Sequence, residues 1–137
     1  MPKEPEPTRS EWNEFIGPFY SVSRVAGELH LTEEEVEQRT KDNELLGLEI
    51  QEGDLVFPSY QFTKGEDGES TIVVPGIPEI LKVFGGRSAE EAWTLASWLN
   101  AYHRDLDGKR LIDYLKETKD IEKPLLKARE AAWRWSH

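Results

Sequence analysis

Apolar residues along this chain fall into short runs at helical spacing, separated by Gly, Pro and acidic capping residues. From Ser21 onward, Val22, Val25, Ala26 and Leu29 recur as one face of a helix. His30-Leu31 follows, and then Thr32-Glu33-Glu34-Glu35 reads as a capping box, in which Thr32 accepts from the backbone of Glu35 while Glu35 reaches back. It predicts a second helix running to about Asn43, with Val36 as its one strong apolar residue and Leu45 and Leu46 just beyond. Two short helices joined by so tight a connection form a helix-turn-helix pattern. Leu48-Glu49-Ile50 and Leu55-Val56-Phe57 flank Gln51-Glu52-Gly53-Asp54 and predict a β-hairpin placed as a wing would be, closed by Pro58.

The rest of the chain reads as a loop followed by helices. Lys64 to Ser70 is polar and contains glycine, and Ile72-Val73-Val74 is a brief apolar run closed by Pro75-Gly76. Pro78 suits the first turn of a helix carrying Ile80, Leu81 and Phe84, stopped by Gly85-Gly86. A second capping box, Ser88 to Glu91, opens a helix with Ala92, Trp93, Leu95, Ala96, Leu99 and Tyr102 as largely buried positions. Leu106-Asp107-Gly108 is a turn, and Leu111, Ile112, Tyr114 and Leu115 mark a short helix. A last helix runs from about Asp120 towards Trp135, with Leu125, Leu126, Ala128, Ala132 and Trp133 as its face. Upstream, Ser10 caps a short helix to Ile16 that Gly17-Pro18 ends. The expected fold is therefore mainly α: an N-terminal helix-turn-helix with a small β-hairpin wing, followed by a C-terminal helical bundle. The expected organisation is an acidic arm and short helix over 1–18, the helix-turn-helix with its hairpin over 19–62, and a C-terminal helical domain over 63–137.

Charge alters this picture. The net charge of −10 is uneven: residues 1–85 hold 18 acidic and 7 basic residues, whereas residues 86–137 hold 9 and 10. An acidic N-terminal part repels a phosphate backbone and attracts basic partners. The absence of Cys excludes disulfides, thiolate zinc sites and a Cys nucleophile, and fits a reducing cytoplasm. No apolar run approaches the roughly 20 residues of a membrane span, and Met1 to Thr8 lacks the apolar core of a signal peptide.

Catalytic chemistry is hard to assemble from this sequence. His30, His103 and His137 lie at no ligand spacing from one another, and there is no HExxH, GxSxG, Walker loop or GxGxxG. Tyr102-His103-Arg104-Asp105 reads as a polar cluster at a helix end. The expectation is a protein that is not an enzyme and holds no metal or cofactor. The tryptophans point instead to binding. Trp93 falls on an apolar face, Trp98 is offset from it, and Trp133 and Trp135 lie too close in sequence to share one helix face. Trp98, Trp133 and Trp135 are therefore candidate partner-binding residues, since exposed tryptophan is typical of binding hot spots.

The order of motifs resembles a known group. Gly17-Pro18-Phe19-Tyr20 leads into Val25-Ala26 and the helix-turn-helix; Leu45-Leu46-Gly47-Leu48, the hairpin and Val56-Phe57-Pro58-Ser59-Tyr60-Gln61-Phe62 follow. Val74-Pro75-Gly76-Ile77, Ile80-Leu81, Trp93, Trp98-Leu99, and Leu106-x-Gly108-x-x-Leu111-Ile112-Asp113-x-Leu115 complete the series. Over about residues 17 to 135 the chain resembles proteins related to the Xre/MbcA/ParS-like antitoxins. The resemblance implies an antitoxin-like transcriptional regulator, a homodimer that binds promoter DNA through the helix-turn-helix and a cognate toxin through its C-terminal helices. Two departures stand out. Glu33, Glu34, Glu35 and Glu37 occupy places where relatives carry Arg, Gln, His or Lys, which leaves Thr32, Gln38, Arg39 and Lys41 as the candidate DNA donors. Leu111 stands where a Pro is usual. The competing reading is an acidic protein-protein interaction module that has kept the scaffold and lost DNA binding.

Overall fold

The computed structural model describes residues 18–50 and 53–136. The arm and the short helix expected over Ser10–Ile16 lie outside them, as does the Gln51-Glu52 part of the wing turn. The described elements run β1 (Phe19–Ser21), α1 (Val22–Leu29), α2 (Glu33–Lys41), β2 (Leu48–Glu49), β3 (Leu55–Pro58), β4 (Phe62–Lys64) and β5 (Thr71–Val73), followed by α3 (Ile77–Phe84), α4 (Ala89–Leu99), β6 (Tyr102–His103), β7 (Lys109–Arg110), α5 (Leu111–Thr118) and α6 (Glu122–Ser136). Short 3-10 turns at Ser59–Gln61 and Arg104–Leu106 complete the path.

The expectation of a mainly α fold with a single hairpin is corrected. The described residues form six α-helices and three small antiparallel sheets, a mixed α/β fold. The wing hairpin is present, but β1 pairs with β3 on its other side, giving a three-stranded sheet in the order β1-β3-β2. The loop at Lys64–Ser70 is the tip of a second hairpin, β4-β5, and a third, β6-β7, interrupts the C-terminal helices. These strands have two to four residues each, too few to display an alternating pattern.

Two further corrections concern the C-terminal half. Tyr102 is not a buried helical position: α4 ends at Leu99, and Tyr102 lies in β6, 67% exposed, under the Arg110 guanidinium at 4.8 Å. The Tyr102–Asp105 cluster thus belongs to a hairpin and a 3-10 turn rather than to a helix end. The buried face of α6 is also rotated from the expected one. Pro124, Ala128 and Ala131 are buried, while Leu126 and Trp133 point outward. Small residues on the inner face let α6 pack closely on α3.

Local chemistry explains the helix boundaries. Ser21 caps α1 by accepting from the Arg24 N–H at 3.0 Å, and both capping boxes are formed, at Thr32–Glu35 and at Ser88–Glu91. α1 ends at His30, whose left-handed backbone (φ 57°) reverses the chain so that the Leu31 N–H also reaches the Ala26 carbonyl.

Packing divides into two clusters. The smaller joins Val25, Ala26, Val36, Leu45, Phe57 and Phe62 under the helix-turn-helix. The larger gathers Val74, Ile77, Ile80, Leu81, Leu95, Leu99, Leu106, Leu111, Ile112 and Leu115, together with Leu46, Leu48 and Val56 from the wing side. The neighbours Leu45 and Leu46 therefore enter different clusters. The backbone of Leu46 is held by Gln61, the one buried polar residue among those described. Its Oε1 accepts from the Leu46 N–H at 2.9 Å; its Nε2 donates to the Leu46 carbonyl at 2.9 Å and to the Pro58 carbonyl at 3.2 Å. Its own backbone carbonyl accepts from Val74 at 2.8 Å. Tyr60, one residue earlier, donates its hydroxyl to the Ala96 carbonyl at 2.7 Å, and burial pushes its phenol well above the ordinary range.

Replacing Gln61 by Leu leaves the buried N–H and C=O of Leu46 without partners. Such groups cost about 1–3 kcal/mol each, so Gln61→Leu is expected to lower the unfolding free energy by roughly 2–4 kcal/mol. Urea denaturation measures this, and a variant as stable as wild type would show that the clamp is dispensable.

Candidate interaction faces

Two surfaces hold the residues singled out in the sequence. On α2 only Val36 is buried and Thr40 half-buried; Glu33, Glu34, Glu35, Glu37, Gln38, Arg39 and Lys41 are all exposed. Glu34, Gln38 and Lys41 stack along the side opposite Val36. Gln38 donates to Asp42 Oδ1 at 3.1 Å, so one of the expected base readers is engaged by a carboxylate. The Thr32 oxygen is taken by the cap, accepting from the Glu35 N–H at 3.1 Å, while the Thr32 N–H donates to Glu35 at 3.0 Å. That backbone bond, helped by the Thr32 hydroxyl, holds the Glu35 carboxyl below its ordinary range and so keeps it charged.

Arg39 stands apart from the others. It lines a concavity of about 300 Å³ with Leu29, Leu31, Glu44, Thr71 and Ile72, on the flank between the helix-turn-helix and β5. The four expected DNA donors thus do not converge. Gln38 and Lys41 share the outward side with Glu34, Thr32 caps the helix, and Arg39 faces the flank.

The three candidate tryptophans are also divided. Trp98 and Trp135 come together, with Phe84 and His103 completing a four-ring cluster. Trp98 stands edge-on to Phe84 at 5.6 Å, to Trp135 at 6.3 Å and to His103 at 5.4 Å, and Phe84 lies 5.0 Å from Trp135. Trp98 and Phe84 are half-buried, whereas Trp135 remains 46% exposed and forms the outer edge. Trp133 is 64% exposed on another side of α6. Trp93 is half-buried and braces the wing, donating to the Glu49 carbonyl at 3.1 Å and meeting Phe19 edge-on. Phe84 and His103 were not anticipated. Their place in the cluster depends on α3 packing against α6 and on the β6 turn, neither of which leaves a local pattern.

Electrostatic features elsewhere bind the elements to one another. Thr71 donates to Glu28 at 2.9 Å and lowers its carboxyl, tying α1 to the second hairpin. Arg87 donates to Asn43 at 2.9 Å and to the Gly85 carbonyl at 2.8 Å. Lys127 bridges α6 to Asp105 at 2.8 Å, and Tyr114 donates to Asp120 at 2.7 Å. Among the described residues no three His, Cys, Asp or Glu side chains gather closely enough to hold a metal ion, and no helix is long and apolar enough to cross a membrane.

No protein-family model, no curated protein and no solved structure matches this chain.

The aromatic cluster has a measurable pH signature. Desolvation holds the His103 imidazole below its ordinary value of 6.5, against the opposing hydrogen bond from its Nε2–H to the Trp98 carbonyl at 3.2 Å. The folded pKa lies below the unfolded one, so the unfolded chain takes up the proton first. Stability is fully present above pH 6.5 and falls as the pH drops below it, until the folded pKa is passed. Denaturation midpoints between about pH 7.5 and 5 should show a shallower decline in His103→Gln than in wild type. Identical slopes would remove His103 from the titration.

Proposed function

We propose that this protein is an antitoxin-like regulator, without enzymatic activity, that binds a partner protein through its C-terminal helices. The observation that carries the reading is the aromatic cluster at the α3, α4 and α6 ends, with Trp135 at its exposed edge. Large aromatic side chains backed by other rings present much contact area at little entropic cost and dominate many interfaces. The sequence resemblance supplies the kind of partner, a toxin, and the cluster supplies the surface.

Promoter binding through the helix-turn-helix is the weaker arm of this reading. The outward side of α2 offers Gln38 and Lys41 among Glu34, Glu37 and Asp42, and carboxylates there oppose the approach of phosphates. This acidic side favours a second reading, an interaction module that retains the scaffold without binding DNA.

Co-purification of the full chain with the product of the adjacent reading frame tests the first reading. A stable complex is expected, and Trp135→Ala should weaken it by about tenfold or more, while circular dichroism shows the fold retained. Failure of a toxin-like neighbour to bind the wild-type chain would overturn the antitoxin assignment. A gel shift against the upstream DNA separates the two readings. Salt-dependent binding at micromolar protein that weakens in Gln38→Ala and Lys41→Ala supports the regulator, and its absence supports the interaction module.

A further inference from the structure

The concavity of about 300 Å³ on the flank between the helix-turn-helix and β5 combines an apolar wall with two opposite charges. Leu29, Leu31 and Ile72 give the wall; the leucines are half-buried and Ile72 is 37% exposed. Arg39 and Glu44 give the charges. These two stand side by side at the end of α2, because the Glu44 N–H donates to the Arg39 carbonyl at 2.9 Å. Their side chains nevertheless form no ion pair with each other, and among the described residues neither side chain takes part in a hydrogen bond or an ion pair. Glu35, one turn earlier, feels the Arg39 charge, but its carboxylate is committed to the Thr32 cap.

We infer that this concavity binds a small zwitterion, a free α-amino acid with an apolar side chain. The α-carboxylate meets the Arg39 guanidinium, whose planar fork matches a carboxylate in bidentate fashion. The α-ammonium meets the Glu44 carboxylate, and the side chain lies against Leu29, Leu31 and Ile72. An α-amino acid carries its two charges on one carbon, as the concavity carries two unpaired charges side by side. Other small occupants leave something unmatched. A simple carboxylic acid turns an acid or an apolar end towards Glu44, and a simple amine does the same to Arg39. A neutral apolar molecule takes water from both charges and offers no partner, which is costly. Sites for small molecules run from about 300 to 1,000 Å³, so a concavity at the lower limit suits a single amino acid better than a peptide or a nucleotide.

The place of the concavity gives such a ligand a consequence. Its lining comes from the end of α1, the turn of the helix-turn-helix, the end of α2 and the second hairpin. A bound amino acid therefore fastens α2 to β5, on the flank where Thr71 already donates to Glu28 of α1. Binding to the folded chain alone raises its apparent stability. The site uses neither the Trp135 ring cluster nor the outward side of α2, so it does not depend on the partner-binding reading above.

Amide chemical shifts of the full chain, followed during titration with L-valine, L-leucine, L-methionine, L-phenylalanine and L-tryptophan to about 10 mM, test the proposal. At least one of these is expected to give saturable shifts centred on Leu29, Leu31, Arg39, Glu44 and Ile72. If L-leucine is the binder, isocaproate, which lacks its amino group, and isoamylamine, which lacks its carboxylate, should each bind about tenfold more weakly or worse. The deaminated and decarboxylated forms of another binder serve in the same way. Arg39→Met and Glu44→Gln should each weaken the amino acid by about tenfold or more, and Arg39→Met should also erase its advantage over the amine, which a merely structural role of Arg39 would not do. Glycyl-leucine, whose charges lie farther apart, should bind more weakly than leucine. The absence of saturable shifts at these residues with all five amino acids, equal binding of the deaminated acid, an advantage over the amine that survives Arg39→Met, or tighter binding of the dipeptide, which marks a peptide C-terminus as the occupant, would each overturn the assignment.

Discussion

The described fold turns on how one side chain, Gln61, pairs the backbone of one residue, Leu46. Leu45 and Leu46 are adjacent, yet their side chains enter separate hydrophobic clusters, so the backbone between those clusters passes through a region with little water. An unpaired amide there would be costly. Gln61 supplies both a donor and an acceptor and pairs the Leu46 N–H and C=O as a neighbouring strand would. The short segment around it spreads the connection further. Pro58 ends the central wing strand, Tyr60 reaches the Ala96 carbonyl on α4, and Phe62 enters the helix-turn-helix cluster, stacked on Tyr20 at 5.7 Å. Five consecutive residues thereby tie the wing to both clusters.

Gly47, beside this clamp, shows how little room remains. A Cβ at that position would stand 2.9 Å from Thr40 Cγ2 and 3.2 Å from Phe57, so α2 and the wing approach each other across a residue without a side chain. The constraint settles where α2 sits relative to the sheet, but acts only through its inner side. Val36 and Thr40 face inward, while Glu34, Gln38 and Lys41 lie on the opposite side. The scaffold is consequently indifferent to whether that outer side is basic or acidic.

What could be read from the sequence follows the same division. Signals confined to a few neighbouring residues were legible. Thr32-Glu35 and Ser88-Glu91 form the expected capping boxes, Pro78 lies in the first turn of α3, and α1 carries the expected spacing of Val22, Val25, Ala26 and Leu29. Features that depend on distant partners were not. β1 has only Phe19 to Ser21 and exists because Val56, Phe57 and Pro58 lie alongside it; β7, Lys109-Arg110, has no apolar residue at all. Tyr102 continues the helical spacing set by Leu95 and Leu99, but the chain leaves the helix at Asn100 and Tyr102 pairs with Arg110 instead. On α6 the large residues suggested one face and the small ones formed the buried one, because close approach to α3 favours Ala128 and Ala131 over Leu126 and Trp133. The candidate tryptophans were visible singly, but the grouping of Trp98 with Trp135 and the separation of Trp133 depend on this rotation.

That rotation also gives α6 more than one role. Its inner side, small and buried, fastens the helix to α3. Its end carries Trp135 into the ring cluster, and its outer side carries Leu126 and Trp133. Had the large residues faced inward, the helix would stand farther from α3, and neither the ring cluster nor the outer apolar pair would exist in this form. Burial of small residues thus leaves the large ones at the surface, where exposed Leu and Trp cost solvation unless something covers them. The acidic outer side of α2 has no such need, since its carboxylates are well hydrated as they stand. By this physical criterion the C-terminal helices, more than the helix-turn-helix, present the surface on which the proposed partner would bury the most apolar area.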